Sequence, residues 1–390
     1  MTRISVECPP DEWAKLTTNP ALKPHEREAI DTIVRKGLDF TPEELHLGMA
    51  MKDACAEGES ASANELSRWA LRGNPQWDGY LGVEDLLAGK RKPNDDIVER
   101  LGESASVLLA EHVFDVTAAD LTRIPEARGG PKAKGQRTFD FRRAMIGALP
   151  DRILELESKG TFEDASTKSH IHDIHDKKRK IAAHSGSTIQ TLLVGTILDV
   201  HTDGRESRMI IVDPPSDGPE NIDLRLIRYL KRSYYYLYVL RAFWRGHMAI
   251  ALANRLDLAN EELLDFDASN GIPLLKATGE PFGWAEAVSS TTSLTFTSTK
   301  GVEERIHGRI ISGWWQEPVV FLGLHRSVID ALAAQDYVAI NSLAFTPQTL
   351  DWQKSVDSRS SPLLRLKGQV ALTKAGIALA WFFGHTLGER

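Results

Sequence analysis

The sequence predicts a mainly α protein with two β-hairpins, α+β in class and multi-domain in organisation, on three observations. Apolar residues recur at helical spacing over residues 24–124, 138–158, 164–187 and 222–255, with Gly and Pro punctuating the first stretch. Only residues 191–212 and 291–311 change to the short runs and central turn of a hairpin. A length of 390 residues also exceeds one small domain and fits two or three.

Composition narrows the function classes. With 42% hydrophobic and 26% charged residues the chain has an ordinary globular make-up, not a disordered or fibrous one. A net charge of -7, from 47 Lys+Arg against 54 Asp+Glu, argues against a surface that coats nucleic acid everywhere, while leaving room for a local basic face. The two cysteines, Cys8 and Cys55, cannot build a disulfide framework or a cysteine-based zinc site, which points to a reducing compartment. The start MTRISVECPPDEW lacks the basic-then-apolar layout of a secretory signal, and the apolar run 377–383 is far short of the ~20 residues that span a bilayer. A cytoplasmic protein without a membrane partner is the expectation.

In chain order, residues 1–127 are expected to form a helical domain. Thr41-Pro42-Glu43-Glu44 is a strong helix start: Thr41 can cap, Pro42 suits the first helical position, and both acids complement the helix dipole. Residues 83–102 resemble the second half of a repressor-type helix-turn-helix, with Lys90 and Arg91 in the turn before the helix that holds Ile97, Val98 and Leu101. A helical hairpin with a solvated basic turn accounts for the same residues. Residues 128–137 are Gly-, Pro- and Lys-rich and serve as a basic linker. A central helical module over 138–270 follows. It begins with a helix at 138–158, kinked or split by Pro150, and continues with the charged helix 164–187, an inserted hairpin, and a long helix. On that long helix Arg228, Lys231, Tyr235, Tyr238, Arg241 and Arg245 follow one another at steps of three or four. Cations for phosphate and rings for bases along one side suit a single nucleic-acid strand, although a helix packed among acidic neighbours, with half-buried tyrosines and paired arginines, also explains the stripe. The last unit, 271–390, combines the second hairpin with elements similar to a winged helix-turn-helix. A helix lies near 326–334 and a second element near 347–355, its basic wing at 363–372 carries Arg365 and Lys367, and LTKAG leads into a terminal apolar helix.

The charged helix concentrates the titratable chemistry, with His170, His172, His175, the run Lys177 to Lys180, and His184 at its end. Arg179-Lys180-Ile181-Ala182-Ala183-His184 resembles the Arg-x4-6-His motif of the HEPN superfamily of helical proteins. That resemblance implies a metal-independent endoribonuclease, usually dimeric, with no cofactor, in a toxin or defence setting. Carried to this chain, it assigns proton transfer to His184 and the scissile phosphate to Arg179. Imidazole can exchange protons near neutral pH, a guanidinium can grip phosphate oxygens, and the ribose 2′-OH can attack internally. Lys180 departs from the family's usual small polar residue or histidine after the Arg, and the hairpin interrupts the module. Acid-before-base pairs four residues apart, Asp173 with Lys177 and Asp176 with Lys180, also explain the charges as a solvated face. His172, His175 and Asp176 share a helical face but want a further metal ligand. The sequence has no Gly-x4-Gly-Lys-Ser/Thr loop, Gly-x-Ser-x-Gly elbow or His-Glu-x-x-His helix. The expected function is therefore RNA cleavage by a homo-oligomer, a protein partner being compatible with it. The alternative is a non-catalytic nucleic-acid-binding regulator or adaptor that touches DNA or RNA through its helix-turn-helix elements.

Overall fold

A computed structural model describes residues 2–51, 69, 71–72, 79–121, 142–146, 152–162, 167–182, 191–201, 203–212, 224–243, 292–298, 301–312, 319–334, 336–358 and 361–387. The chain divides into two compact units, one of Met1–Glu57 with Gly82–Arg228, the other of Gly58–Leu81 with Tyr229–Arg390. The expected linker at 128–137 lies outside the described residues.

Unit one contains, in order, β1 (Thr2–Glu7), α1 (Pro10–Thr18), α2 (Pro24–Lys36), β2 (Leu38–Phe40), α3 (Pro42–Ala50), α4 (Val83–Leu87), α5 (Asp95–Val113), β3 (Arg142–Ile146), β4 (Arg152–Phe162), α6 (Thr167–Ala182), β5 (Thr191–Val200) and β6 (Arg208–Val212). Its strands form one mixed sheet ordered β2-β1-β6-β5-β4-β3, in which β1 runs parallel to β6 and β4 parallel to β5. Strands from the expected amino-terminal domain and the expected central module thus share one sheet. Parallel neighbours need a crossover, and α6 supplies it between β4 and β5.

The two faces of this sheet carry different helices. Gly160 of β4 lets α5 approach so closely that a Cβ there would sit 2.1 Å from the Val98 carbonyl oxygen. The Thr196 hydroxyl of β5 hydrogen-bonds Ser106 of α5, while Gly195, the preceding residue, lies under Ile174 of α6. Successive strand residues point to opposite faces, so α5 and α6 cover opposite sides. Ile174 packs there with Leu193, Ile197, Ile210 and Val212, and Ile171 borders the cluster.

The mainly α expectation is overturned: the protein is α+β, organised around two strand assemblies. The helix expected at 138–158 is the β3–β4 hairpin, with Arg142 opposite Leu156. In Leu154-Glu155-Leu156-Glu157-Ser158-Lys159 the side chains alternate with period two, and both faces are covered. Covering both faces removes the exposed polar stripe by which a strand is told from a helix. β1 was also absent from the helical expectation, although its buried Ile4 and Val6 alternate with exposed Arg3, Ser5 and Glu7. Other local expectations hold. Thr41 accepts from the Glu44 amide at 3.2 Å and Glu44 from the Thr41 amide at 2.8 Å, a complete capping box at the start of α3.

Unit two holds most of α7 (Leu224–Phe243), then β7 (Thr292–Thr297), β8 (Glu303–Ser312), β9 (Val319–His325), α8 (Arg326–Ala334), α9 (Tyr337–Ser342), β10 (Gln348–Ser358), β11 (Ser361–Leu372) and β12 (Ile377–Leu387). Its strands close into a barrel, β10-β11-β12-β9-β8-β7, completed where Asp357 of β10 meets Ser293 of β7. Leu294, Phe296, Ile306, Phe321, Val370, Leu372, Ala378 and Ala380 form its core. The buried Arg232 of α7 donates to the carbonyls of Ile340 (2.7 Å) and Leu343 (3.0 Å), satisfying the end of α9. Tyr236 donates to the Ala375 carbonyl at 2.9 Å.

The winged-helix expectation for this unit is overturned with the fold class. The expected wing 363–372 belongs to β11, the expected terminal helix is β12, and the element at 347–355 is β10. LTKAG forms the tight β11–β12 turn, with Gly376 at φ +77°. An apolar run such as Ile377 to Trp381 has no period that separates strand from buried helix, and β12 is flanked on both sides by strands. The helix expected at 326–334 and the hairpin of β7 and β8 are present.

Candidate functional site

Among the described residues of unit one, a group of buried charges lies on the α6 side of β4. Glu155, Glu157 and Lys159 alternate along that side, and Glu155 and Glu157 are only 3% and 0% exposed. Burying carboxylates is costly unless a cation or hydrogen bonds answer them. Lys159 does so: its Nζ lies 3.0 Å from Glu157 Oε1 and 3.8 Å from Asp173 Oδ2 of α6, while its side chain keeps 24% exposure. A lysine clamped by a strand carboxylate below and a helix carboxylate above has one fixed position and a partly open side.

α6 is oriented by its own sequence. Thr167, Ile171 and Ile174 repeat at helical spacing on the side that meets the sheet, and Thr167 donates to Asp199 of β5 at 3.4 Å. His170 and Asp173, three residues apart, form the adjoining stripe, on the β4 side because Asp173 reaches Lys159. His170 is half-buried. Burial, then the Lys159 cation, lowers its pKa below the ordinary histidine value, with Asp173 acting in the opposite direction. Beside this group, the buried Asp199 carboxylate lies 3.3 Å from Arg208 and 3.8 Å from His201. Lys159 and Asp199 approach the carboxyl ends of the two parallel strands joined by α6, the side of such a unit where ligands are generally bound.

Further along α6, His175 is held 2.9 Å from Glu12 of α1, and exposed His172 lies 3.5 Å from Asp176. Among the described residues, no group of three or more His, Cys, Asp or Glu side chains is placed to hold a metal ion. Glu155 and Glu157, two residues apart on one side of β4, are the buried carboxylates that could share a divalent cation with a bound phosphate, since Mg²⁺ takes one or two carboxylates and completes its shell with substrate and water; of the two, Glu157 is the one paired with Lys159.

The residues singled out in the sequence fall in several places. Arg179 is in the last turn of α6, its side chain outside the described set, and His184 lies outside the described residues altogether. Of the residues expected to form a nucleic-acid track on α7, Arg228, Tyr235 and Tyr238 are only 4%, 3% and 7% exposed. Arg228 donates to Asp120 at 3.0 Å and to the Asp115 carbonyl at 3.3 Å, so its cation serves the loop after α5. Lys231 is half-buried, the Arg241 side chain is outside the described set, and Arg245 is outside the described residues. Lys90 and Arg91 are exposed before α5, with Lys90 3.5 Å from Asp85. The helix that ends in this turn, the one expected to read nucleic acid, is α4, with Val83, Leu86 and Leu87 buried; the helix that follows, α5, buries Val98, Leu101, Ala105, Leu108 and Leu109, and its Ser104 donates to the Leu45 carbonyl at 2.9 Å. Arg365 and Lys367 are on barrel strand β11, their side chains outside the described set. Sequence reasoning missed Glu155, Glu157 and Lys159, although the alternation of acid, acid and base with Leu154, Leu156 and Ser158 was the available signal.

The chain matches no protein-family model, no curated protein and no solved structure. Chemistry alone therefore bears on what the site does. An ammonium paired with two carboxylates can still offer N–H donors from its exposed part, and a half-buried imidazole one helical turn from one of those carboxylates, its pKa lowered, can accept a proton.

Proposed function

We propose that this protein cleaves phosphodiester bonds in RNA on the α6 side of β4. The observation that carries the reading is Lys159, partly exposed and clamped by Glu157 at 3.0 Å and Asp173 at 3.8 Å. Its fixed charge is suited to the non-bridging oxygens of a phosphodiester, where negative charge grows as the nucleophile attacks. The ribose 2′-OH supplies an internal nucleophile, so the chain needs only to bind phosphate, align the strand and move a proton. The Arg179 and His184 pair is proposed as a second candidate centre toward the other end of α6, since Arg179 is six residues beyond Asp173 and so about 9 Å farther along the axis.

A second reading is favoured by Glu155 and Glu157, two buried carboxylates on one side of one strand. Together with the phosphate they would share a divalent cation, and water would replace the 2′-OH as nucleophile. The test is cleavage of end-labelled RNA and single-stranded DNA in EDTA and in Mg²⁺, by wild type, by Glu157→Gln/Lys159→Met and by Arg179→Ala/His184→Ala. The double change at 157 and 159 removes both charges, because Lys159→Met alone would strand a buried carboxylate. RNA cutting in EDTA that the 157/159 change abolishes supports the first reading. Cutting of both polymers only in Mg²⁺, abolished by the same change, supports the second. No cutting under either condition, or cutting lost only with Arg179 and His184, overturns the Lys159 site.

A further inference from the structure

Resting on the RNA-cleaving reading above, we infer that His170 is the proton acceptor for the attacking 2′-OH. Three placements single it out. It lies one helical turn before Asp173, the α6 residue that reaches Lys159. It is half-buried, whereas His172 is 75% exposed on its side chain and pairs with Asp176, and His175 is committed to Glu12. Its stripe on α6 adjoins the line of Thr167, Ile171 and Ile174 that meets the sheet, so it stands at the rim of the Lys159 site and not beneath it.

The charged groups that act on the ring are Lys159 from β4 and Asp173 from its own helix. From β5 the nearest charge on the same side of the sheet is Asp199, which is taken up by Thr167, Arg208 and His201. Burial and the Lys159 cation favour the neutral ring, the form that can take a proton, and Asp173 limits that effect. In the reaction the 2′-oxygen bonds to phosphorus and its proton passes to His170. The P–O5′ bond breaks, and the departing 5′-oxygen takes a proton from solvent. The products are a 2′,3′-cyclic phosphate and a 5′-hydroxyl end. Lys159 faces the non-bridging oxygens throughout, so acceptor and charge stabiliser come from α6 and β4 respectively.

The experiment measures kcat against pH for the full chain, wild type beside His170→Gln, His170→Ala and Lys159→Met. Wild-type kcat is expected to rise with pH through a value below 6.5, the group that titrates being the His170 ring. His170→Gln should lower kcat about 100-fold or more and remove that limb, and added imidazole should restore part of the rate to His170→Ala, which a merely structural role would not do. A proton titration of the ring by NMR, identified by its loss in His170→Gln, should move upward in Lys159→Met and downward in Asp173→Asn. If wild type cuts RNA and His170→Gln cuts it equally well with an unchanged pH profile, the inference is overturned while the Lys159 reading stands. If wild type does not cut, both fall.

Discussion

His46 illustrates how one side chain can set the acid limit of this protein. It is 2% exposed within α3, and burial alone lowers its pKa from 6.5 to about 4. Because the folded value lies below the unfolded one, its contribution is complete above pH 6.5 and is lost as pH falls toward 4. That loss amounts to about 3 kcal/mol, so His46→Leu should flatten the acid side of the stability curve by about that much, read by urea denaturation at pH 7 and pH 4. Lys159 poses a different residue-scale problem, since its partner Glu157 has no solvent to fall back on. Lys159→Met alone is expected to destabilise by about 3 kcal/mol and Glu157→Gln/Lys159→Met by much less, a comparison that thermal denaturation makes directly.

At the scale of elements, unit one depends on how tightly α5 lies on β4. Gly102 and Gly160 face each other there, and a Cβ at either would come within 3.0 Å of backbone atoms of the other element. Backbone cannot rotate aside, so Gly160→Ala should cost about 2–3 kcal/mol and push α5 off β4, measurable as a lower urea midpoint. The start of β4 is tied to α2 by Arg152, whose guanidinium makes two bonds to Glu26 at 2.9 and 2.8 Å with both side chains buried. Arg152→Met should cost about 3–5 kcal/mol, because Glu26 would remain buried without its cation. These same elements explain what the sequence disclosed. Capped and amphipathic segments such as α3 and α6, and strands with turn residues between them such as β5 and β6, were legible from local pattern. β12 was not, since a continuous apolar run carries no period, and β4 was not, since its alternating Leu and Glu are buried on both sides and so mark no solvent face. The site suffered from the same cause: Lys159 and Glu157 acquire meaning only when α6 brings Asp173 and His170 over β4. The stripe from Arg228 to Tyr238 was conspicuous because its charges repeat, yet repetition along a helix does not say which side faces water.

At the scale of the whole molecule, each unit has its own core, one on a mixed sheet and one inside a closed barrel. Phe321, fully buried in the barrel, should cost about 3–5 kcal/mol as Phe321→Ala, and hydrogen exchange should report the loss at β9 and β12. No helix among the described residues is long and apolar enough to cross a membrane. The chain carries a net charge of -7, so an RNA partner would be held by a local cationic site and not by the general field of the protein. Lys159, paired with Glu157 and Asp173, is the cation proposed for that contact, and the central claim is that it works on phosphate. The most direct measurement is cleavage of end-labelled RNA by wild type and by Glu157→Gln/Lys159→Met, with equal folding of the two checked by circular dichroism. The account predicts 2′,3′-cyclic phosphate ends from the wild type in EDTA and none from the double variant. Equal cutting by both proteins, or cutting by neither, would contradict it.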